Sequence, residues 1–338
     1  MMAATVPEID ATSIGSADDF HRHIVEQCQP IVLKGLVRNW KLTHIANDRA
    51  ALADYLQSHA ANHQIGVFTA PAAINGQYFY NEDLTGFNFS QETMRFPDAL
   101  RHVMVDRKAD EDTAYLGSVP CNDYLPTLIN DLPMPMLASR VTPRLWIGHA
   151  AHIATHYDTM DNLACVVLGR RRFTLYPPDA IANMYVGPID FTMAGQPVSL
   201  AAESVSAFAP YPYFERARDR VLVADLEPGD ALYLPKLWWH QVVSTAPLNG
   251  LINYWWDAFA LGPDTPNLSL MLAMINIAER PHAERMAWRA FFDNYVFRPE
   301  RHPLVHLPPE RRGILGPLQP DNFGRIRARI MQALRGTA

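Results

Sequence analysis

Residues 155–178 read THYDTMDNLACVVLGRRRFTLYPP. They place His156 and Asp158 two apart, just before the apolar run LACVVLG. On a strand, alternate side chains share a face, so both would point to the same side of a sheet. Two polar groups directed into a core need a partner there. A His-x-Asp triplet by itself also fits a surface turn or a satisfied buried ion pair, so its context decides.

That context is a succession of short strands. From about 113 to 258 the runs AYLGSV, RLWIGHA, NLACVVL, RRFTLYPP, RVLVADL, DALYLP, HQVVST and GLINYWW alternate with turn residues, Pro228-Gly229-Asp230 being the strongest turn. Many short strands between turns predict a sandwich or a barrel-like jelly roll over 113–260. Residues 1–112 read as a mixed α/β lead-in packed on the barrel. Ser16 caps a helix in ADDFHRHIVEQC, PIVLKGL (30–36) is a strand, LADYLQSHAA and FPDALRHVM are helices, and IGVFTA and QYFYN are short strands. The Pro-rich segment 177–220 reads as a long insertion between strands, and loops of that length often carry function. Within it Tyr211, Tyr213 and Phe214 either line a binding surface or pack the loop down.

The pattern turns helical over 261–338, in NLSLMLAMINIAER, PHAERMAWRAFFDNYVF and FGRIRARIMQALR. In the last of these Ile326, Ile330 and Leu334 recur at i, i+4, i+8, an apolar stripe that packs on its own domain or forms a homodimer interface.

A hydrophobic share of 49% and a charged share of 19% describe an ordinary globular chain with a sizeable core. The formal net charge of -6 gives no global attraction to nucleic acid or anionic membrane, so neither is expected as a partner. Cys28, Cys121 and Cys165 are odd in number, far apart and form no C-x-x-C pair, which argues for a reducing, cytoplasmic setting without disulfides. The opening MMAATVPEIDATS lacks the basic and apolar regions of a signal peptide, and LSLMLAMINIA falls short of the roughly 18 apolar residues of a membrane span.

If His156 and Asp158 bind a metal, a third ligand should come from another strand on the same inner face. The candidate is His240, in EPGDALYLPKLWWHQVVS, where a turn launches a strand that ends beside Trp238 and Trp239. Two imidazoles and one carboxylate form a facial triad that suits Fe(II) and leaves positions open, although zinc accepts the same donors.

THYDTMDNLACVVLGRRRFTLYPP, PGDALYLPKLWWHQV and GLINYWW, in that order, resemble the cupin-like JmjC family of Fe(II)- and 2-oxoglutarate-dependent oxygenases. Within it the chain is most similar to the branch containing the asparaginyl hydroxylase that inhibits the hypoxia-inducible factor. PIVLKGLVRNW at 30–40 resembles the N-terminal segment of the family. The resemblance implies a mainly β fold with flanking helices, a double-stranded β-helix or jelly roll with a C-terminal helical extension. It also implies iron on His156, Asp158 and His240, and a 2-oxoglutarate pocket containing Tyr115, Asn162, Arg171 and Asn253. Arg171 stands where the family has a lysine that pairs with the distal carboxylate, and arginine can grip a carboxylate through two parallel hydrogen bonds. Ile153 stands where a threonine is frequent; Thr155 would replace that hydroxyl only with a different backbone path. Arg170 and Arg172 read as a solvated strand end, and His149 and His152 as supporting or channel residues.

The resemblance therefore implies an oxidoreductase, a dioxygenase that hydroxylates a protein side chain, a peptide or a small molecule. Two alternatives stay open: a metal-dependent cupin isomerase or hydrolase that does not use 2-oxoglutarate, and a non-catalytic binding protein on the same scaffold.

Overall fold

The strands expected from 113 onward all form, and strands from the lead-in extend the same sheets. The computed structural model describes residues 3–108, 110–193, 195–203, 211–260, 262–298, 300–316 and 320–336. In chain order the strands are β1 (Ala4–Thr5), β2 (Glu8–Asp10), β3 (Ile31–Lys34), β4 (Gln64–Ala70), β5 (Gln77–Tyr78), β6 (Ser90–Arg95), β7 (Thr113–Pro120) and β8 (Pro143–Gly148). They continue with β9 (Ala151–Tyr157), β10 (Asp161–Leu168), β11 (Arg171–Tyr176), β12 (Leu222–Leu226), β13 (Ala231–Leu234), β14 (Trp239–Ser244) and β15 (Asn249–Trp256). A nine-stranded sheet runs β2-β3-β13-β10-β15-β8-β7-β4-β6, and a six-stranded sheet runs β1-β12-β11-β14-β9-β5. The jelly roll with flanking helices and a C-terminal helical region is thus the architecture found.

Strand β10 shows why the sequence folds this way. Its alternating residues serve two cores: Leu163, Cys165 and Val167 pack with the lead-in residues Leu42, Leu52 and Leu56. Ala164 and Val166 face inward with Phe173, Leu232, Val242 and Leu251. A strand covered on both faces must be apolar throughout, which is what LACVV provides. The turn to β11 passes through Gly169 at φ +71, where a Cβ would come within 2.3 Å of Asn249 Oδ1. Gly229 at φ +102 makes the Pro-Gly-Asp turn, and Asp230 beside it accepts from Gly35 N at 3.0 Å and pairs with Lys34.

Asp161 sits at the head of β10 and is 1% exposed. Its carboxylate accepts from Tyr233 Oη at 3.2 Å and from the backbone N–H of Ala258 at 3.1 Å, with Lys236 Nζ 3.4 Å away. It ties the β13–β14 connection and the end of β15 to the strand that follows the His-x-Asp triplet.

Two elements differ from expectation. The strand SQETMR is polar because β6 is an exposed sheet edge with one neighbour, so it lacks the alternation that marks a half-buried strand. Asp158 lies one residue past the end of β9, so it shares a face with His156 by the turn of the chain as well as by strand alternation.

The chain divides into two compact units, Met1–Ala258 and Phe259–Ala338. The lead-in belongs to the first unit and supplies strands to both sheets. The second contains helices Pro266–Ile277, His282–Phe292 and Pro320–Leu334. No side chain of the first two is buried, and Leu270, Ile275, Phe291, Phe297, Ile330 and Leu334 are exposed. Among the described residues no helix is long and apolar enough to cross a membrane.

Replacing Asp161 by alanine strands the buried Tyr233 hydroxyl and the Ala258 N–H, so Asp161→Ala should lose about 3 kcal/mol in urea unfolding, with Asp161→Asn losing less. A loss under about 1 kcal/mol would mean that water replaces the carboxylate.

Candidate functional site

The facing surfaces of the two sheets enclose a cavity of about 440 Å³. All seven residues singled out in the sequence, Tyr115, His156, Asp158, Asn162, Arg171, His240 and Asn253, line it. Strand register brings them there. On the six-stranded sheet His156 lies opposite His240, which in turn lies opposite Leu175 of β11. On the nine-stranded sheet Asn162 lies opposite Trp255, and Asn253 lies opposite Arg144.

His156, Asp158 and His240 each offer one ligand atom within 4.8 Å of the others. Their rings and carboxylate are oriented by the backbone. His156 Nδ1 is 2.8 Å from Ala154 O, and His240 Nδ1 is 3.0 Å from Trp238 O. A carbonyl only accepts, so each Nδ1 carries the proton and each Nε2 keeps a lone pair. His240 Nε2 is 3.8 Å from Asp158 Oδ2, and that oxygen is buried without a hydrogen-bond partner among the described residues. Burial first, then the neighbouring His156, push the His240 imidazole well below its ordinary value of 6.5. Burial raises the Asp158 carboxyl above its ordinary 3.8 against the pull of His156 and Trp255. Two lone pairs and an unsatisfied carboxylate oxygen converging in one cavity suit a divalent cation.

Arg171 is the second uncompensated group. It is 4% exposed, and its Nε and Nη2 have no hydrogen-bond partner among the described residues. Burial raises the neighbouring Tyr115 hydroxyl above its ordinary range while the Arg171 guanidinium pulls it down. A buried guanidinium with idle N–H groups facing a cavity suits an anion. Arg172 instead pairs with Asp225 through two 2.8 Å bonds on the surface, and Arg170 pairs with Glu227 at 2.9 Å.

The asparagines form a chain: Trp146 Nε1 donates to Asn253 Oδ1 at 2.7 Å, and Asn253 Nδ2 donates to Asn162 Oδ1 at 3.1 Å. Ile153 lines the cavity with an apolar wall. Thr155 does not replace the missing hydroxyl, because its Oγ1 is committed to Glu203 at 2.8 Å.

Glu203 was not legible from the sequence. Its carboxylate is buried and also accepts from Thr155 N at 2.8 Å and Gln241 Nε2 at 3.1 Å, with His152 Nε2 3.0 Å away. Burial alone would raise its carboxyl, but His152, Thr155 and Gln241 outweigh it and hold it below the ordinary range. His152 therefore supports the strand that carries His156. His149 is structural, its ring bonded to the backbone of Ala114 and Val105. Tyr211 packs on Tyr185 and Phe214 on Tyr176, away from the cavity, and residues 204–210 of the insertion lie outside the described residues. The insertion instead contributes Met193, Gln196 and Val198 to the wall. Arg144, Trp146 and Trp255 were also missed, though period-two spacing in RLWIG and INYWW places them on the faces of Asn253 and the ligands.

Fold and cavity define a class. The chain belongs to the cupin-like domain family, whose model matches residues 17–261. It is 28% identical over 263 residues to Jumonji C domain-containing protein 5 of Drosophila melanogaster, covering 75% of this chain and 60% of that protein. It is 25% identical over 279 residues to lysine-specific demethylase JMJ31 of Arabidopsis thaliana, covering 72% and 48%. It is also 25% identical over 281 residues to human tRNA wybutosine-synthesizing protein 5, covering 74% and 77%. The chain thus spans 60% and 48% of the length of the first two relatives.

A histidine whose pKa is lowered in the fold takes up a proton more readily when unfolded. Its contribution is complete above 6.5 and is lost as pH falls below that value. In chelator-treated protein, His240 should therefore account for stability lost as pH falls from about 6.5 towards 5. Urea unfolding across that range should show this loss in the wild type and not in His240→Asn; parallel pH profiles would rule it out.

Proposed function

We propose that the chain is an Fe(II)- and 2-oxoglutarate-dependent oxygenase that hydroxylates a protein side chain, a peptide or a small molecule. Arg171 carries the reading: a buried guanidinium with unpartnered N–H groups lines the same cavity as the two-histidine, one-carboxylate cluster. A metal cupin without a keto acid cosubstrate would leave that charge uncompensated, and a non-catalytic scaffold would leave the cluster unsatisfied as well.

In this reading His156, Asp158 and His240 hold the metal through Nε2, one carboxylate oxygen and Nε2. Arg171 and Tyr115 hold the distal carboxylate of 2-oxoglutarate, and the Trp146–Asn253–Asn162 chain fixes the amide of Asn162 beside them. Phe173, Val242, Leu251 and Ile153 keep the cavity dry. Iron with 2-oxoglutarate and O₂ supplies the oxidation, one oxygen atom entering a substrate C–H bond and the other entering succinate as CO₂ leaves. Lysine demethylation by this chemistry would also begin with hydroxylation, of an N-methyl group. Kinship to the asparaginyl hydroxylase branch rests on the motif resemblance and on Asn162 and Asn253. A cytoplasmic setting belongs to the same proposal, since ferrous iron and the free Cys28, Cys121 and Cys165 suit a reducing compartment.

The test is anaerobic titration of Fe(II)-loaded protein with 2-oxoglutarate. The wild type should develop the weak visible charge-transfer band of a chelated keto acid, and Arg171→Ala should need at least about tenfold more cosubstrate. Iron binding without a band would overturn the reading.

We also propose that the apolar helical faces of Phe259–Ala338 form a homodimer interface, because large apolar side chains such as Leu270, Ile275, Phe291, Phe297, Ile330 and Leu334 are left exposed there. Light scattering should then give twice the 38.1 kDa chain mass. The monomer mass at micromolar concentration would exclude it.

A further inference from the structure

A second arginine lines the cavity. Arg144 is half-buried on β8, on the inward face shared with Trp146 and opposite Asn253, and its guanidinium lies 5.6 Å from the Trp255 ring centroid. Its Nε donates to Ser118 Oγ at 2.6 Å and its Nη2 to Ser118 O at 2.8 Å. Ser118 is held at φ +55, inside the register shift of β7 between Leu116 and Val119.

Those two bonds use the side-on fork of the guanidinium, Nε with Nη2. The end-on fork, both hydrogens of Nη1 and the second of Nη2, has no acceptor among the described residues, and no described carboxylate forms an ion pair with it. Burial lowers its pKa, while Cys121 and Asp123 oppose the shift; an arginine keeps its charge regardless. A strut for the β7 irregularity needs only the side-on fork and would be served equally well by a side chain directed at solvent. Here the charge is instead aimed into a cavity walled by Phe68, Phe89 and Trp255.

We propose that Arg144 is a specificity-determining residue that binds an anionic group of the substrate, a carboxylate or a phosphate, through its end-on fork. The proposal rests on the oxygenase reading, in which Arg171 is occupied by the cosubstrate. The cavity then has two anion sites with separate duties. Arg171, buried beside Tyr115, takes the dicarboxylate that stays; Arg144, more exposed, takes the charge of a molecule that enters and leaves. The aromatic walls select an apolar or planar body next to that charge.

Calorimetry on zinc-loaded protein saturated with N-oxalylglycine tests the idea without turnover, zinc being redox-silent. The probes are the blocked amino acids N-acetylglutamate methylamide, N-acetylphosphoserine methylamide and N-acetylglutamine methylamide. An anionic probe should bind at least about tenfold more tightly than the glutamine probe, the worth of a charge-assisted hydrogen bond. Arg144→Gln should abolish that preference and leave N-oxalylglycine affinity unchanged, while Arg171→Gln should weaken N-oxalylglycine. The ratio between the two anionic probes tells a carboxylate from a phosphate. Equal binding of all three probes, or no binding of either anion, overturns the proposal, and this wild-type comparison decides even if Arg144→Gln does not fold. Loss of N-oxalylglycine in Arg144→Gln also overturns it, because Arg144 would then belong to the cosubstrate. If N-oxalylglycine fails to bind but the Arg144-dependent anion preference persists, the oxygenase reading falls and the anion site stands.

Discussion

The pairing of β9 with β14 is the constraint on which the rest of the site depends. It sets His156 opposite His240, with Trp239 opposite Tyr157 on the other face. Side chains alternate between faces, so a slip of one residue would turn one imidazole outward and scatter the cluster. The register is pinned from the other side too, since β14 also pairs with β11, where Arg171 lies opposite Ser244. Strand β14 thus fixes the His156, Asp158 and His240 cluster relative to Arg171 on β11. An irregularity between His240 and Val242 leaves Gln241 without a partner on β9, and its amide reaches Glu203 instead.

The cavity is organised around charges that the protein itself does not balance. Asp158 Oδ2, the two Arg171 nitrogens and the end-on fork of Arg144 all lack acceptors or donors among the described residues. Apolar walls lower the local dielectric, so a ligand that supplies the missing charge gains more than it would in water. Elsewhere in the same unit the buried charges are satisfied: Asp161 by Tyr233, Lys236 and Ala258, Asp230 by Lys34 and Gly35, Glu203 by Thr155 and Gln241. The contrast separates groups paired within the fold from groups left unpaired in the cavity.

What the sequence revealed follows from the physics of alternation. Strands with one buried face, such as HQVVST, carry a period of two and were readable, as were the turn at Gly229 and the helix cap at Ser16. Six of the seven cavity-lining candidates were picked out because a resemblance in three ordered motifs supplied what spacing alone could not, and Tyr115 by the same resemblance in AYLGS. β6 escaped because an exposed edge carries no burial pattern. Glu203 escaped because an acid in an irregular segment looks solvated until its donors from β9 and β14 are assembled around it. Arg144 escaped for a related reason: its meaning comes from facing Asn253 across two strands far apart in sequence.

Glu203 also couples the insertion to the strands of the cluster. Its carboxylate draws on Thr155 of β9 and Gln241 of β14, with His152 beside it and Gln77 of β5 3.5 Å away. Burying an acid without such donors is unfavourable. The wall that Met193, Gln196 and Val198 give the cavity is therefore anchored through Glu203 to the same two strands that carry His156 and His240.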